Sequence, residues 1–256
     1  MFCSNNTART HPIEQSITSL GLRENLAANE GARSFIYEST RERTPLGHAH
    51  REQVRDLSIP HIREMYRQAV NRLLNEIAET EEFFRAGIVA IDITEADPFT
   101  GDRTGHEDEI IGTKEKTDEY AYQWATVQLV GNAVPIVLDA RPVRKGESRL
   151  EIVEDLLDSA EELVHVDNVL MDREFDSQHV LEMVSQRGLS YVVPKRMQTS
   201  EKAQAKRLLR RDQDRYEADR KLHLGKNEWH ETMLIYRRKE NAEHDDHRQY
   251  SVFMSN

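Results

Sequence analysis

The chain has 256 residues, 38 % of them hydrophobic and 32 % charged, with a formal net charge of −11. That length suffices for one large domain with a real core, but no apolar run reaches the eighteen residues that would suggest a membrane span. A lone cysteine, Cys3, excludes an intrachain disulfide and a cysteine zinc site, and the N-terminus lacks the basic-then-apolar pattern of a secretory signal, so a cytoplasmic protein is expected.

Taken in chain order, residues 1–85 read as an N-terminal helical region. Ile62, Met65, Val70, Leu73, Leu74 and Ile77 fall at helical spacing, with Pro60 separating a short helix from a longer one. At Gly87 the pattern changes. "GIVAIDIT" is a short apolar run of the buried-strand kind, ending on Asp92. "YAYQWATVQLVG" and "NAVPIVLDARPV" predict two strands joined around Gly131-Asn132. Ser148-Arg149-Leu150-Glu151 is a capping box opening a helix that buries Ile152, Val153, Leu156, Leu157, Ala160 and Leu163. A second apolar strand runs into Asp172-Arg173-Glu174. A helix capped by Asp176 or Ser177 follows, stops at Gly188, and leads to the strand "LSYVVPKR". From "TSEKAQAKRLLRRDQDRYEADR" a basic helix is expected, from "KLHLGKNEWHETMLIYRR" a strand pair turning near Gly225-Lys226-Asn227, and from "QYSVFMSN" a last strand.

The order over residues 87–196 is therefore strands first and then strands alternating with helices, which implies an α/β fold: a mixed sheet with helices packed on its faces. Sites in such sheets lie outside strand ends. Asp92 and Asp172 both follow apolar strands, and if those strands are parallel neighbours the two carboxylates meet. Either aspartate alone reads as the start of a turn. Together they would repel, and a hard divalent cation, Mg²⁺ or Mn²⁺, would compensate them. Such ions activate water and steady the leaving oxygen in phosphodiester cleavage.

Charge is uneven. The chain has nine lysines and twenty-six arginines, and many acids with little lysine suggest a halophilic source. Residues 195–239 nonetheless hold six lysines and eight arginines against seven acids, a net of +7 in an acidic protein. Such an island points to nucleic acid. Lys202, Lys206 and Arg210 lie at i, i+4 and i+8 of the expected helix, with Arg207 and Arg211 beside them and Lys195 and Arg196 just before. That stripe suits phosphate contacts. "EHDDHR" and "HEDE" read as solvated loops, "TGDRTGH" lacks the glycine-lysine pair of a phosphate-cradling loop, and Trp124, Met171 and Met183 read as core.

With "AIDIT", "LMDREF" and "VFMSN" in this order and spacing, the stretch 87–256 resembles the DDE transposases of bacterial and archaeal insertion sequences, in the subgroup with a β-rich insertion between its second and third acidic residues. The resemblance implies a ribonuclease H-like core over 87–196 and a basic insertion subdomain over 197–256. It implies Asp92 and Asp172 as catalytic metal ligands, Arg173 as a phosphate or acidic-network partner, and Mg²⁺ or Mn²⁺ as cofactor. Double-stranded DNA, both transposon ends and target, would be the partner, and a homodimer the assembly. It also implies that Trp229, inside the insertion, stacks on an unpaired base, although a tryptophan in a hairpin is more often packing.

The departure is that no tyrosine has arginine three positions on, so the pattern that carries the family's third ligand, a glutamate on a later helix, is missing before Asn256. The core is then incomplete, a sheet face is left with apolar surface exposed, and DNA cleavage is impaired; nothing in the placement of Glu174, Glu182 or Glu201 recommends a substitute. The alternatives are a non-catalytic DNA-binding fragment that inhibits a full-length relative, and a phosphatase of another α/β fold with Asp92 as nucleophile, which would leave the basic island unexplained.

Overall fold

The computed structural model describes residues 52, 55–79, 83, 85–95, 98–113, 119–132, 134–224, 228–240 and 245–256. The chain divides into two compact units, Met1–Ile62 and Arg63–Asn256, and the second carries the sheet. Cys3, the hairpin turn Gly225-Lys226-Asn227, His244 and most of the expected N-terminal helical region lie outside the described residues.

The described elements are α1 (Ile59–Ile77), β1 (Ala86–Glu95), β2 (Ile110–Gly112), β3 (Tyr120–Val130), β4 (Ile136–Val143), α2 (Arg149–Leu163), β5 (His165–Met171), α3 (Gln178–Gln186), β6 (Ser190–Pro194), α4 (Thr199–Arg210), β7 (Arg215–His223), β8 (Trp229–Arg238) and β9 (Tyr250–Ser255). Pro60 falls in the first turn of α1, where its missing N–H costs nothing, so it begins this helix. Gly131, at φ 94°, makes the turn between β3 and β4. Ser148 caps α2, its side chain accepting from Leu150 N at 3.2 Å. Ser177 takes the cap position of α3 but makes no cap hydrogen bond. Gly188, at φ 77°, ends that helix's turn.

The strands form one mixed sheet in the order β2-β3-β1-β5-β6-β9-β8-β7, with β4 also paired to β3. β1 and β5 are parallel neighbours, as are β5 and β6; the remaining pairs are antiparallel. The sheet does not break at residue 196, because β9 returns to pair with β6 and carries β8 and β7 with it.

Burial alternates along each central strand. Val89, Ile91 and Ile93 of β1, Ala125, Val127 and Leu129 of β3, Val169 and Met171 of β5, and Tyr191 and Val193 of β6 face the helices. α2 contributes Ile152, Val153, Leu156, Leu157 and Ala160 to this core, and α3 contributes Val180, Leu181 and Val184. α1 is held to it by Arg63, whose guanidinium donates to the fully buried Asp139 of β4 at 2.6 Å and bridges to Asp155 of α2 at 2.9 Å. Helices on both faces were expected. Instead, the described helices pack on one face, the odd-numbered side of β1, β3 and β5.

The opposite face keeps Tyr122 and Trp124 of β3 at 37 % and 43 % exposed and Leu170 of β5 at 36 %. Trp124, expected in the core, is therefore a surface residue. Its strand is apolar at both parities, so only the placement of the helices decides which side is covered.

The basic helix is shorter than expected. α4 stops at Arg210, Asp212 takes a positive φ of 53°, and the "RYEADR" stretch is the start of β7. Among the described residues no helix is long and apolar enough to cross a membrane.

Candidate carboxylate pair and nucleic-acid interface

The last parallel pairing between β1 and β5 is Ile91 with Met171. The next residue on each strand is an aspartate, Asp92 and Asp172. Neighbouring strands run about 4.8 Å apart, so the backbone brings the two aspartates side by side, as expected if the strands were parallel neighbours. Alternation puts Asp92 with Ala90 and Thr94, and Asp172, in extended backbone, with Leu170. Both therefore belong to the open face of the sheet. One detail differs: β1 continues to Glu95, so Asp92 lies inside a strand rather than at its end. It stays clear of the sheet's covered side because Ile91 and Ile93 take that side.

Neither aspartate is used up as a turn-former. Asp92 is exposed and mid-strand, and its side chain accepts only a long 3.4 Å bond from Thr94 Oγ1. Asp172 precedes the 3-10 turn Arg173–Phe175 without capping it through its side chain. Two adjacent, all-oxygen donors with little other engagement fit a hard divalent cation. Among the described residues no cluster of three or more such ligands forms.

Asp172 opens onto a groove of about 950 Å³ lined by Arg149, Arg173, Glu174, Asp176, Arg196, Met197 and Gln198. Glu174 meets Arg149 at 3.0 Å, and Asp176 meets Lys195 at 3.0 Å. Asp92 is beside Asp172 by register and is not part of this groove's lining. Of the three glutamates weighed as a further ligand, Glu174 alone lies in the groove. Glu182 is bonded to His230 Nδ1 at 2.5 Å. Glu201 is buried, closing the capping box of α4 by accepting from Gln198 N at 2.9 Å and from Ser200 Oγ at 2.9 Å. Burial alone would raise the Glu201 pKa, but these donors and Arg220 outweigh it and hold its carboxyl below the ordinary value.

A second, smaller cleft of about 300 Å³ adjoins the first through Arg173, Arg196 and Met197. Its cations are Arg173, Lys195, Arg196, Lys202, Lys239 and Arg248, and His247 stands with them. Arg173 thus lines both depressions. Lys239, His247 and Arg248 were not foreseen. They follow β8 or precede β9 in the chain and reach the cleft only because the antiparallel pairing of those strands brings Arg238 opposite Tyr250.

On α4, Ala205 and Leu208 point inward, and Lys202, Lys206, Arg207 and Arg210 are exposed, with Arg211 just past the helix end. Among the described residues none of these five makes an ion pair. Arg196 is equally exposed, whereas Lys195 is half-buried against Asp176. Trp229 is 54 % exposed, with its ring 4.5 Å from that of His223. It lines a different groove, together with Glu154, Glu182 and Glu228, whose carboxylates would repel phosphate. The "HEDE" segment is a surface turn in which Asp108 and Glu109 pair with Arg144.

No protein-family profile matches the chain, and no curated protein matches it. Among solved structures it is similar to a piggyBac transposase in a synaptic complex with hairpin DNA, at 13 % identity and a TM-score of 0.44, over 95 % of this chain and 50 % of that one. The chain thus spans about half the length of that transposase.

Proposed function

We propose that the protein binds DNA along its basic surface and presents Asp92 and Asp172 to a phosphodiester, the arrangement of a transposase-type enzyme with a ribonuclease H-like core. The observation that carries this reading is the β1–β5 register, which ends one residue before Asp92 and Asp172 and so brings their backbones together, with Asp172 opening onto a groove bearing Arg173 and Arg196. The exposed cations of α4 would bind the phosphate backbone without choosing sequence. Arg173, adjoining Asp172, would orient a phosphate toward the carboxylates. Magnesium or manganese held by Asp92 and Asp172 would supply activation of water and neutralisation of phosphate charge.

With two carboxylates rather than three in the described site, the chain binds DNA well and cleaves it poorly. The test combines a labelled duplex, the purified chain and Mn²⁺, with binding read by anisotropy and nicking by gel. Salt-sensitive binding with little nicking is expected. Rapid Mn²⁺-dependent nicking that disappears in Asp92→Ala would refute the weak-cleavage reading, and absence of any salt-sensitive binding would refute the DNA reading altogether.

A second reading has one observation in its favour. The cations of α4 lie outside the lining of the Asp172 groove, so DNA affinity can exist without chemistry. A non-catalytic DNA-binding protein would keep its full affinity in Asp92→Ala and lose it when Lys202, Lys206 and Arg210 are neutralised.

A further inference from the structure

We infer that the small cleft between α4 and the start of β9 is a separate site for a single, unpaired nucleic-acid strand, with Lys239 and Arg248 among its phosphate contacts. This rests on the DNA reading above and deepens it.

Four of the cleft's cations, Arg173, Arg196, Lys202 and Lys239, make no side-chain hydrogen bond or ion pair among the described residues, while Arg248 is held at 3.0 Å by Asp246 and Lys195 by Asp176. In a chain of net charge −11, four unneutralised cations around a space of about 300 Å³ set up a strong local positive field. The Nδ1 atom of His247 is buried beside them without a hydrogen-bond partner, 3.8 Å from the Asp246 carboxylate. An anion is the natural complement.

The cleft's shape and walls say which kind. A space of about 300 Å³ is the size of a nucleotide or two and far below the bulk of a duplex. Besides Tyr250 and Ser251, its remaining walls are Pro194, Met197, Val252 and the half-buried Phe253, an apolar side against which a base can lie. Basic groups that track a backbone beside an apolar or aromatic wall are what single strands require. The cleft shares Arg173, Arg196 and Met197 with the Asp172 groove, so an occupant that extends beyond it as a strand would be led toward Asp172 in a way that an isolated small anion would not. Arg248 is set in place locally: Asp246 accepts from both its backbone N–H and its Nε, and Arg248 holds the Asp246 carboxyl down at about 2.

The experiment measures binding of the full chain to a fluorescent single-stranded oligonucleotide and to the corresponding duplex, at one fixed salt concentration. The variants are Lys239→Gln, Lys239→Gln with Arg248→Gln, and Lys206→Gln with Arg210→Gln. The double cleft variant should bind the single strand about tenfold more weakly and the duplex within about twofold of normal. The α4 variant should do the reverse. Lys239→Gln alone, which removes no side-chain bond present in the structure, should move single-strand affinity in the same direction and thereby exclude misfolding as the cause. Equal losses for both nucleic acids in the cleft variants, or no loss, would overturn the proposal. Complete displacement of the single strand by pyrophosphate at an equal concentration of phosphate groups would also overturn it, in favour of a small-anion site. If the α4 variant leaves duplex binding untouched while the cleft variants still lose the single strand, the duplex reading fails and the cleft assignment stands.

Discussion

At the scale of single residues, the charges inside the fold and those on its surface obey different rules. Asp139 is fully buried, and its carboxylate is compensated by Arg63. Removing one partner of such a pair leaves an uncompensated charge in a poorly solvated place, which costs about 3–5 kcal/mol. Arg63→Ala should therefore lower the urea-unfolding free energy by about 3 kcal/mol. A change below about 1 kcal/mol would show that the pair is solvated in solution. Glu201 gives a pH signature. Its folded pKa is depressed, so its stabilisation is present above the ordinary carboxylate value, near 4.3, and is lost as pH falls through the folded value. The stability difference between the protein and Glu201→Gln should be clear at pH 7 and shrink below about pH 4; a difference that grows on acidification would contradict the assignment.

Secondary-structure elements show where sequence patterns carry information and where they do not. β1, β5 and their aspartates were legible because each strand shows a short apolar run, Gly87–Ile91 and Val169–Met171, that leads straight into an aspartate. The β3–β4 hairpin and α2 were legible from Gly131 and Ser148. β7 was not, because seven of its nine residues are exposed and an edge strand of that kind has no apolar period to read. Its arginines and acids suit a helix as well as a strand, which is why α4 was expected to run on past Arg210. The sidedness of the sheet was hidden for a related reason: "YAYQWATVQLV" is acceptable with either face covered. The cleft was illegible because Lys239, His247 and Arg248 gain their neighbours only through strand pairing. α4 itself makes a direct prediction. Each phosphate contact contributes about 0.9 to the slope of log affinity against log salt. Neutralising Lys202, Lys206 and Arg210 together should therefore reduce that slope by about 2–3 for duplex DNA. An unchanged slope would remove α4 from the interface.

At the scale of the whole molecule, the two faces of the sheet carry different residues. The helices and the apolar residues of one side supply stability, and the other side carries Asp92, Leu170 and Trp124. The positive charge is gathered where β6, β9 and α4 meet, although the chain as a whole is acidic. Long-range repulsion of DNA by the acidic remainder would be screened as salt rises, whereas the phosphate contacts themselves would weaken, so affinity should fall with salt only as far as the local cations dominate.

The central claim is that Asp92 and Asp172 act as one site. Mn²⁺ binding measured by electron paramagnetic resonance, on the protein, Asp92→Asn, Asp172→Asn and the double variant, tests it most directly. One shared site predicts that each single substitution weakens Mn²⁺ binding about tenfold or more, with little further loss in the double variant. Losses that add independently, or Mn²⁺ binding untouched by either substitution, would mean that the register brings the two aspartates together without giving them a common ligand.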